Sequence, residues 1–275
     1  MQNTQKITKA MQVVSATKLR RAQQAVLATR PYAEKILEVL QTTSEQAKEY
    51  RHPYFERRTP ERAVVVLVTS DTGLCGALNT NTFRAVNRHV NEEFGGRAGF
   101  VSIGRKGRDF TARMRRDLLA DASGLGDRPA MADVLAVVRV ALEEYEKGAA
   151  DTVILAYARW ISTLRQEPVV RTLIPVDLPE REGPSPGGDY IYEPSPEGVL
   201  DALLPRYVES QVYEAVLENQ ASYQSARMIA MQNATNAAGD LIEALTLTAN
   251  KVRQAAITTE LMEIVSGAEA LRASG

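Results

Sequence analysis

At both ends of the chain, apolar residues recur at the spacing of a helix face. Within Met1 to Arg30, the residues Ile7, Ala10 and Met11, Val14, Ala16, Leu19, Ala22 and Val26 stand mostly three or four positions apart. Toward the other end Leu204, Val208 and Val212, then Leu241, Leu245, Val252, Ile257, Leu261, Ile264 and Val265 follow a similar stripe. Helix breakers avoid both regions. The first glycine is Gly73, all twelve prolines fall between Pro31 and Pro205, and the 70 residues from Arg206 to Gly275 hold three glycines and no proline. A helix over most of that last segment would run roughly 100 Å, while a compact globule of this length is only about 50 Å across. The C-terminal helix is therefore expected to project from the protein, continuous from about Pro196 or Pro205 to near Ser266.

Helical stability in water comes mainly from burying an apolar stripe, so a projecting helix needs a partner. Charge points to the N-terminal segment. Residues 1–30 carry Lys6, Lys9, Lys18, Arg20, Arg21 and Arg30 with no acid, and residues 206–275 carry eight acids and five bases. The two termini are predicted to form an antiparallel two-helix coiled coil.

The middle of the chain has a different pattern. The segments 62–69, 100–103, 152–157 and 169–174 are short β-branched runs bounded by Gly, Asp or Pro. Near-continuous apolar runs predict strands covered on both faces. Helical patterns at Ala77 to Phe94 and Met131 to Tyr145 separate them, so the spacing predicts a small open α/β (Rossmann-like) sheet of about five strands. Residues 179–205, with six prolines and four glycines, read as a connector. The expected organisation is an N-terminal coiled-coil helix over 1–58, a central α/β domain over 59–178, the connector over 179–205 and a C-terminal coiled-coil helix over 206–275.

Composition narrows the functional classes. A hydrophobic content of 44% and a formal charge of −1 describe a single-core globular protein and argue against a strong polyanion binder. No apolar run reaches the length of a membrane span. A single cysteine excludes an internal disulfide and fits a reducing compartment. The basic start has the charge of a transit peptide, but it is Gln-rich and its helical period continues past Arg30. The same basic segment lacks aromatics until Tyr32, which argues against nucleic-acid binding.

The most enzyme-like feature is the turn from Thr69 to Leu78, running from a strand into a helix. A helix N-terminus lowers a thiol pKa and attracts anions, so Cys75 could serve as a nucleophile of an α/β hydrolase or the turn could cradle phosphate. However, Gly73 and Gly76 lack the Lys-Ser/Thr ending of a P-loop and the third glycine of a dinucleotide fingerprint. The two histidines, His52 and His89, have no motif that joins them to Cys75. The expectation is a tight turn in which Cys75 is a small packed residue. No metal-ligand spacing is present, and Glu92-Glu93 and Glu143-Glu144 read as solvated helix faces.

Three groups of residues resemble one family. Asn3 to Met11, Lys18 to Gln23 and Arg30 to Ala33 are similar to the N-terminal helix of the gamma subunit of F-type ATP synthase, and Ser70 to Asn79 to its central signature. The stretches 207–213, 226–231, 250–258 and 260–267 resemble its C-terminal helix. The resemblance implies a central-stalk rotor with no catalytic residue and no cofactor of its own. Its shaft would stand in a ring of alpha and beta subunits, and its foot would rest on the c-ring and bind epsilon. Membrane contact would come only through the complex, on the cytoplasmic side of a bacterial inner membrane.

The resemblance also implies site residues. Arg227, Gln254 and Thr258, with Arg253 adjacent, match the contacts of the shaft with beta-subunit loops. Lys9 and Met11 match a further shaft contact with beta, and Tyr190 and Glu193 match the region that meets the c-ring and epsilon. Thr72 and Ala77 depart from the family's usual Arg and Gly, and the tail 268–275 is longer than usual. The chain also begins several helical turns after the family's usual start, so the stripe from Leu245 to Ile264 is expected to lie uncovered.

Overall fold

The computed structural model describes residues 1–47, 50–179, 192–193 and 195–273, with no side chains beyond Ala270. Helix α1 spans Gln2–Gln46 and helix α5 spans Pro196–Ala273. Between them lie a short 3-10 turn Pro53–Phe55, β1 Ala63–Val68, α2 Leu78–Phe94, β2 Ala98–Ile103, α3 Arg105–Arg113, β3 Asp117–Ala122, α4 Met131–Glu146, β4 Thr152–Trp160 and β5 Gln166–Ile174. The coiled coil and the five-stranded α/β sheet are those expected. The helix α5 starts at the earlier of its two expected limits. α1 ends at Gln46, and α5 begins at Pro196 and continues through Pro205. A proline inside a helix costs about 3 kcal/mol, and here Leu200, Leu204 and Val208 are buried on either side and hold the helix in place.

The sheet order is β3-β2-β1-β4-β5, with β1 to β4 parallel and β5 antiparallel at one edge. The apolar runs are buried on both faces, for the reason their sequence suggested. On β1, Val64, Val66 and Val68 enter the core shared with α1, α4 and α5, while Ala63, Val65 and Leu67 enter a second core beneath α2. Phe83 of α2 and Phe110 of α3 stack 4.2 Å apart and close that second layer. The chain passes from β2 into α3 at Gly104, where φ is 103° and a Cβ would stand 2.2 Å from the Thr69 carbonyl oxygen. Only glycine fits there.

Strand β3 and helix α3 have no counterpart among the predicted elements. β3 is a half-exposed edge strand interrupted by Asp117 and Asp121, and α3 carries Arg105, Lys106, Arg108 and Arg113 in nine residues.

α1 runs antiparallel to α5. Their lower contact is apolar, with Ile36 and Leu40 in the same core as Leu204 and Val208, and Leu19 and Ala22 pack on Ala221. The upper contact is polar. Thr235 Oγ1 donates to Thr8 Oγ1 at 2.8 Å, Gln12 Nε2 donates to Gln232 Oε1, and Gln5 Nε2 stands 3.0 Å from where a Cβ on Gly239 would be. Part of the predicted N-terminal stripe is thereby corrected. Ile7 and Val14 are 60% and 50% exposed and point outward, and the helix instead buries Thr8 and Ser15.

Candidate partner-binding surfaces

In open α/β sheets, ligands bind outside the carboxyl ends of the strands where the connections diverge to opposite faces. Here that point lies between β1 and β4, and α5 fills it. Asn219 Oδ1 accepts the Ala158 N–H at 3.2 Å, and Tyr223 packs with Cys75, Leu78 and Ala158. The Tyr223 hydroxyl also pairs with Thr72 Oγ1 and accepts from Arg227 Nη1 at 3.1 Å. The turn 69–78 is thus a socket for the shaft. A cleft of about 440 Å³ remains beside it, lined by Gly76, Leu164, Pro168, Ile229 and Ala230 among others.

Cys75 is 3% exposed, as expected of a packed residue. Burial pushes its thiol above the ordinary range, outweighing its contacts with Ser70 and Asn79 and the nearby Arg227 charge. A thiol nucleophile needs the opposite shift and a neighbouring base. The side chain that bonds to the sulfur is the Asn79 amide, which donates at 3.5 Å. His52 lies at the other end of the sheet, where its Nδ1 accepts the Tyr54 N–H at 3.0 Å. No group of three or more acid, His or Cys side chains with metal-site geometry occurs among the described residues.

The family-derived positions separate into four places. Arg227 is half-buried at the socket, with its guanidinium over the Tyr223 ring and its Nε without a hydrogen-bond partner. Arg253, Gln254 and Thr258 stand on the exposed end of α5, where Thr258 Oγ1 donates to the Gln254 carbonyl at 2.9 Å. Lys9 is exposed and donates to Gln12 Oε1 at 3.2 Å, and Met11 is half-buried on the same helix. Glu193 is exposed at the foot, whereas Tyr190 lies outside the described residues.

The far end of α5 is a bare surface. Met1, Gln2 and Asn3 reach Ile242, Leu245 and Asn250, and every residue from Glu243 to Ala270 is exposed. Those 28 residues extend about 42 Å. Leu245, Val252, Ile257, Leu261, Ile264 and Val265 are 49–68% exposed. At about 100° per residue, Leu241, Leu245 and Val252 share one face, and Ile257, Leu261 and Ile264 share another about 150° away. A helix apolar on opposite sides is stable in water only when enclosed.

A family model described as ATP synthase matches residues 1–271. The chain belongs to the F-type ATP synthase gamma family. Solved structures agree on the fold. A chain of the central stalk/c-ring of the Tetrahymena thermophila mitochondrial ATP synthase aligns with TM-score 0.64 at 24% identity, over 83% of this chain and 99% of that one. A chain of the Euglena gracilis mitochondrial ATP synthase rotor aligns with TM-score 0.55 at 18% identity, over 90% and 99%. A chain from the OSCP/F1/c-ring of the same Euglena enzyme gives 0.58 at 19%, over 97% and 96%. This gamma-family chain has no helix long and apolar enough to cross a membrane among its described residues.

The socket at Asn219 and Tyr223 went unnoticed in the sequence. Its only signal was a break in the apolar stripe of α5, where Asn219, Ser222, Gln224 and Ser225 are all buried.

Proposed function

We infer that this chain is the central-stalk rotor of a proton-translocating F-type ATP synthase, coupling c-ring rotation to ATP synthesis and, in reverse, to hydrolysis. What supports this reading is the match of residues 1–271 to the family model, and the apolar end of α5 is consistent with it. A single helix with apolar residues on opposite sides calls for a collar that surrounds it, and a ring of alpha and beta subunits is such a collar. The α/β domain supports the reading from the other side, because its ligand crevice holds the shaft. Its role is mechanical: a rotor shifts a catalytic subunit between conformations only by the difference in its contacts with them. The chemistry belongs to the beta subunits.

Glu193 at the foot meets the c-ring and epsilon, Tyr190 is a further contact with them, and the complex is peripheral on the cytoplasmic side of a bacterial inner membrane. Along the shaft, Lys9, Met11, Arg227, Arg253, Gln254 and Thr258 meet the beta subunits. Arg227 and Gln254 lie 27 positions apart. That spacing is about 40 Å along the axis and about half a turn in azimuth. They therefore touch the ring at different heights and on opposite sides.

The test is reconstitution with the partner subunits. Arg227→Ala, Gln254→Ala and the double variant should assemble at the normal subunit ratio yet synthesise and hydrolyse ATP more slowly than wild type. Wild-type rates in the fully assembled double variant would remove these two residues from torque transfer. Failure of the chain to join alpha, beta and epsilon would sink the rotor reading itself.

A further inference from the structure

A strongly basic corner of the α/β domain takes no part in the contacts proposed above. From Arg105 to Arg116 there are six bases and one acid, a net of +5 in a chain whose total is −1. Little of this charge is neutralised within the chain. Arg108 pairs with Asp109 at 3.4 Å and with Asp121 at 3.9 Å, and the neighbouring Asp117 pairs with Arg62 at 3.2 Å. Arg105, Arg113 and Arg115 are exposed, and so are Arg84 and Arg88 on the adjoining α2; among the described residues none of these five pairs with an acid. The acids nearest in sequence on α2 are Glu92 and Glu93.

The corner is rigid. Arg116 turns inward and donates to Asn87 Oδ1 at 3.2 Å, to Asn91 Oδ1 at 3.0 Å and to the Gly96 carbonyl. This anchors the turn after α3, where Arg115 has a φ of 52° and Met114 is 43% exposed. Arg113, Met114 and Arg115 thus place two exposed guanidinium groups and one exposed thioether on a single anchored turn. The turn lies at the foot of the molecule. Arg97 Nε bonds to the Glu61 carbonyl at 3.0 Å, and Arg62 to Asp117, so 113–117 sits beside the starts of β1 and β2. α1 ends and α5 begins at this same end, where His52 stands 3.7 Å from Asp201.

We propose that the Arg113–Arg115 corner is a contact surface for anionic lipid headgroups. Guanidinium forks match phosphate geometry, and an apolar side chain among cations seats at the depth of the headgroups. Residues 105–116 line none of five clefts found among the described residues. Attraction to a charged fluid sheet has no fixed register, so it permits the foot to turn. Only the placement of the foot toward a membrane rests on the rotor reading. The patch itself does not, and vesicle binding is measured without any partner subunit.

The experiment is co-sedimentation of the full chain with phosphatidylcholine vesicles, with and without phosphatidylglycerol. The apolar stripe of α5 takes up both kinds, so the difference between them is the readout. Binding specific to the anionic vesicles should weaken with added salt. A cation near an anionic surface contributes roughly fivefold in affinity, so R113E/R115E, which reverses two, should lower the anionic preference at least about 30-fold. R20E/R21E, on α1, should leave it unchanged, and circular dichroism should show all three proteins equally helical. Equal anionic preference in wild type and R113E/R115E overturns the proposal, as does the absence of any preference. Retention of wild type by polyglutamate without vesicle preference also overturns it and makes the partner an acidic polypeptide.

Discussion

Tyr223 holds the shaft in its socket, and its substitution separates the hydrogen bonds of that joint from its packing. The side chain is 5% exposed, its ring lies against Cys75, Leu78 and Ala158, and its hydroxyl is shared by Thr72 and Arg227. Tyr223→Phe keeps the ring and removes the hydroxyl, leaving one half-buried cation without its acceptor. The expected loss is about 1–3 kcal/mol. Tyr223→Ala removes the ring as well and opens a cavity, with an expected loss of about 3–5 kcal/mol. Urea unfolding measures both losses, and Cys75 reports on the joint itself because its sulfur lies behind the ring. In wild type the thiol should react slowly with a thiol reagent near neutral pH, since it is buried and burial raises its pKa and so depletes the thiolate. Tyr223→Phe should leave that protection in place, while Tyr223→Ala should abolish most of it before global unfolding. Rapid labelling of native wild type, or unchanged protection in Tyr223→Ala, would refute the account of the socket.

Three further outcomes are expected. Burial lowers the His52 pKa in the folded chain against the opposing pull of Asp201 and Glu146. Protons then bind the unfolded state first, so this contribution is intact above about pH 6.5 and is lost as pH falls toward the folded pKa; His52→Asn, which keeps an acceptor for the Tyr54 N–H, should flatten the acid side of a urea-midpoint titration. Gly104→Ala forces a side chain into a left-handed backbone and onto the Thr69 carbonyl, so it should destabilise by at least about 3 kcal/mol and yield little folded protein on expression. In the isolated chain, amide hydrogens from Glu243 to Ala270 should exchange much faster than those from Leu204 to Val216, and assembly with the ring should slow them; equal rates in both states would contradict an enclosed tip.

Most of the frame was legible in the sequence because its signals are local. The two helices show in the absence of glycine and proline and in their apolar period, and β1, β2 and β4 show because burial on both faces demands unbroken apolar runs. β3 was hidden by its two aspartates and its place at a sheet edge, and α3 by a polarity that leaves no apolar stripe. Ile7 and Val14 fit the helical period yet face outward. A period records which residues share a face and says nothing of whether that face meets this chain or another. The socket was hidden for a related reason: Asn219 and Tyr223 do their work against Ala158 and Thr72, contacts 61 and 151 residues away that no local pattern encodes.

The change from an apolar to a polar seam along the coiled coil has a mechanical consequence. Around Ile36, Leu40, Leu204 and Val208 the two helices are locked into the core of the sheet, and relative sliding there would open voids. Around Thr8, Gln12, Gln232 and Thr235, hydroxyls and amides can exchange one partner for the next residue along at little cost, because donors and acceptors recur on both sides. Resistance to twisting and bending therefore falls in steps from foot to tip, as in a tapered rod clamped at its base. A torque entering at the base is carried rigidly through the sheet and the lower seam, and the deformation it causes gathers toward the free end.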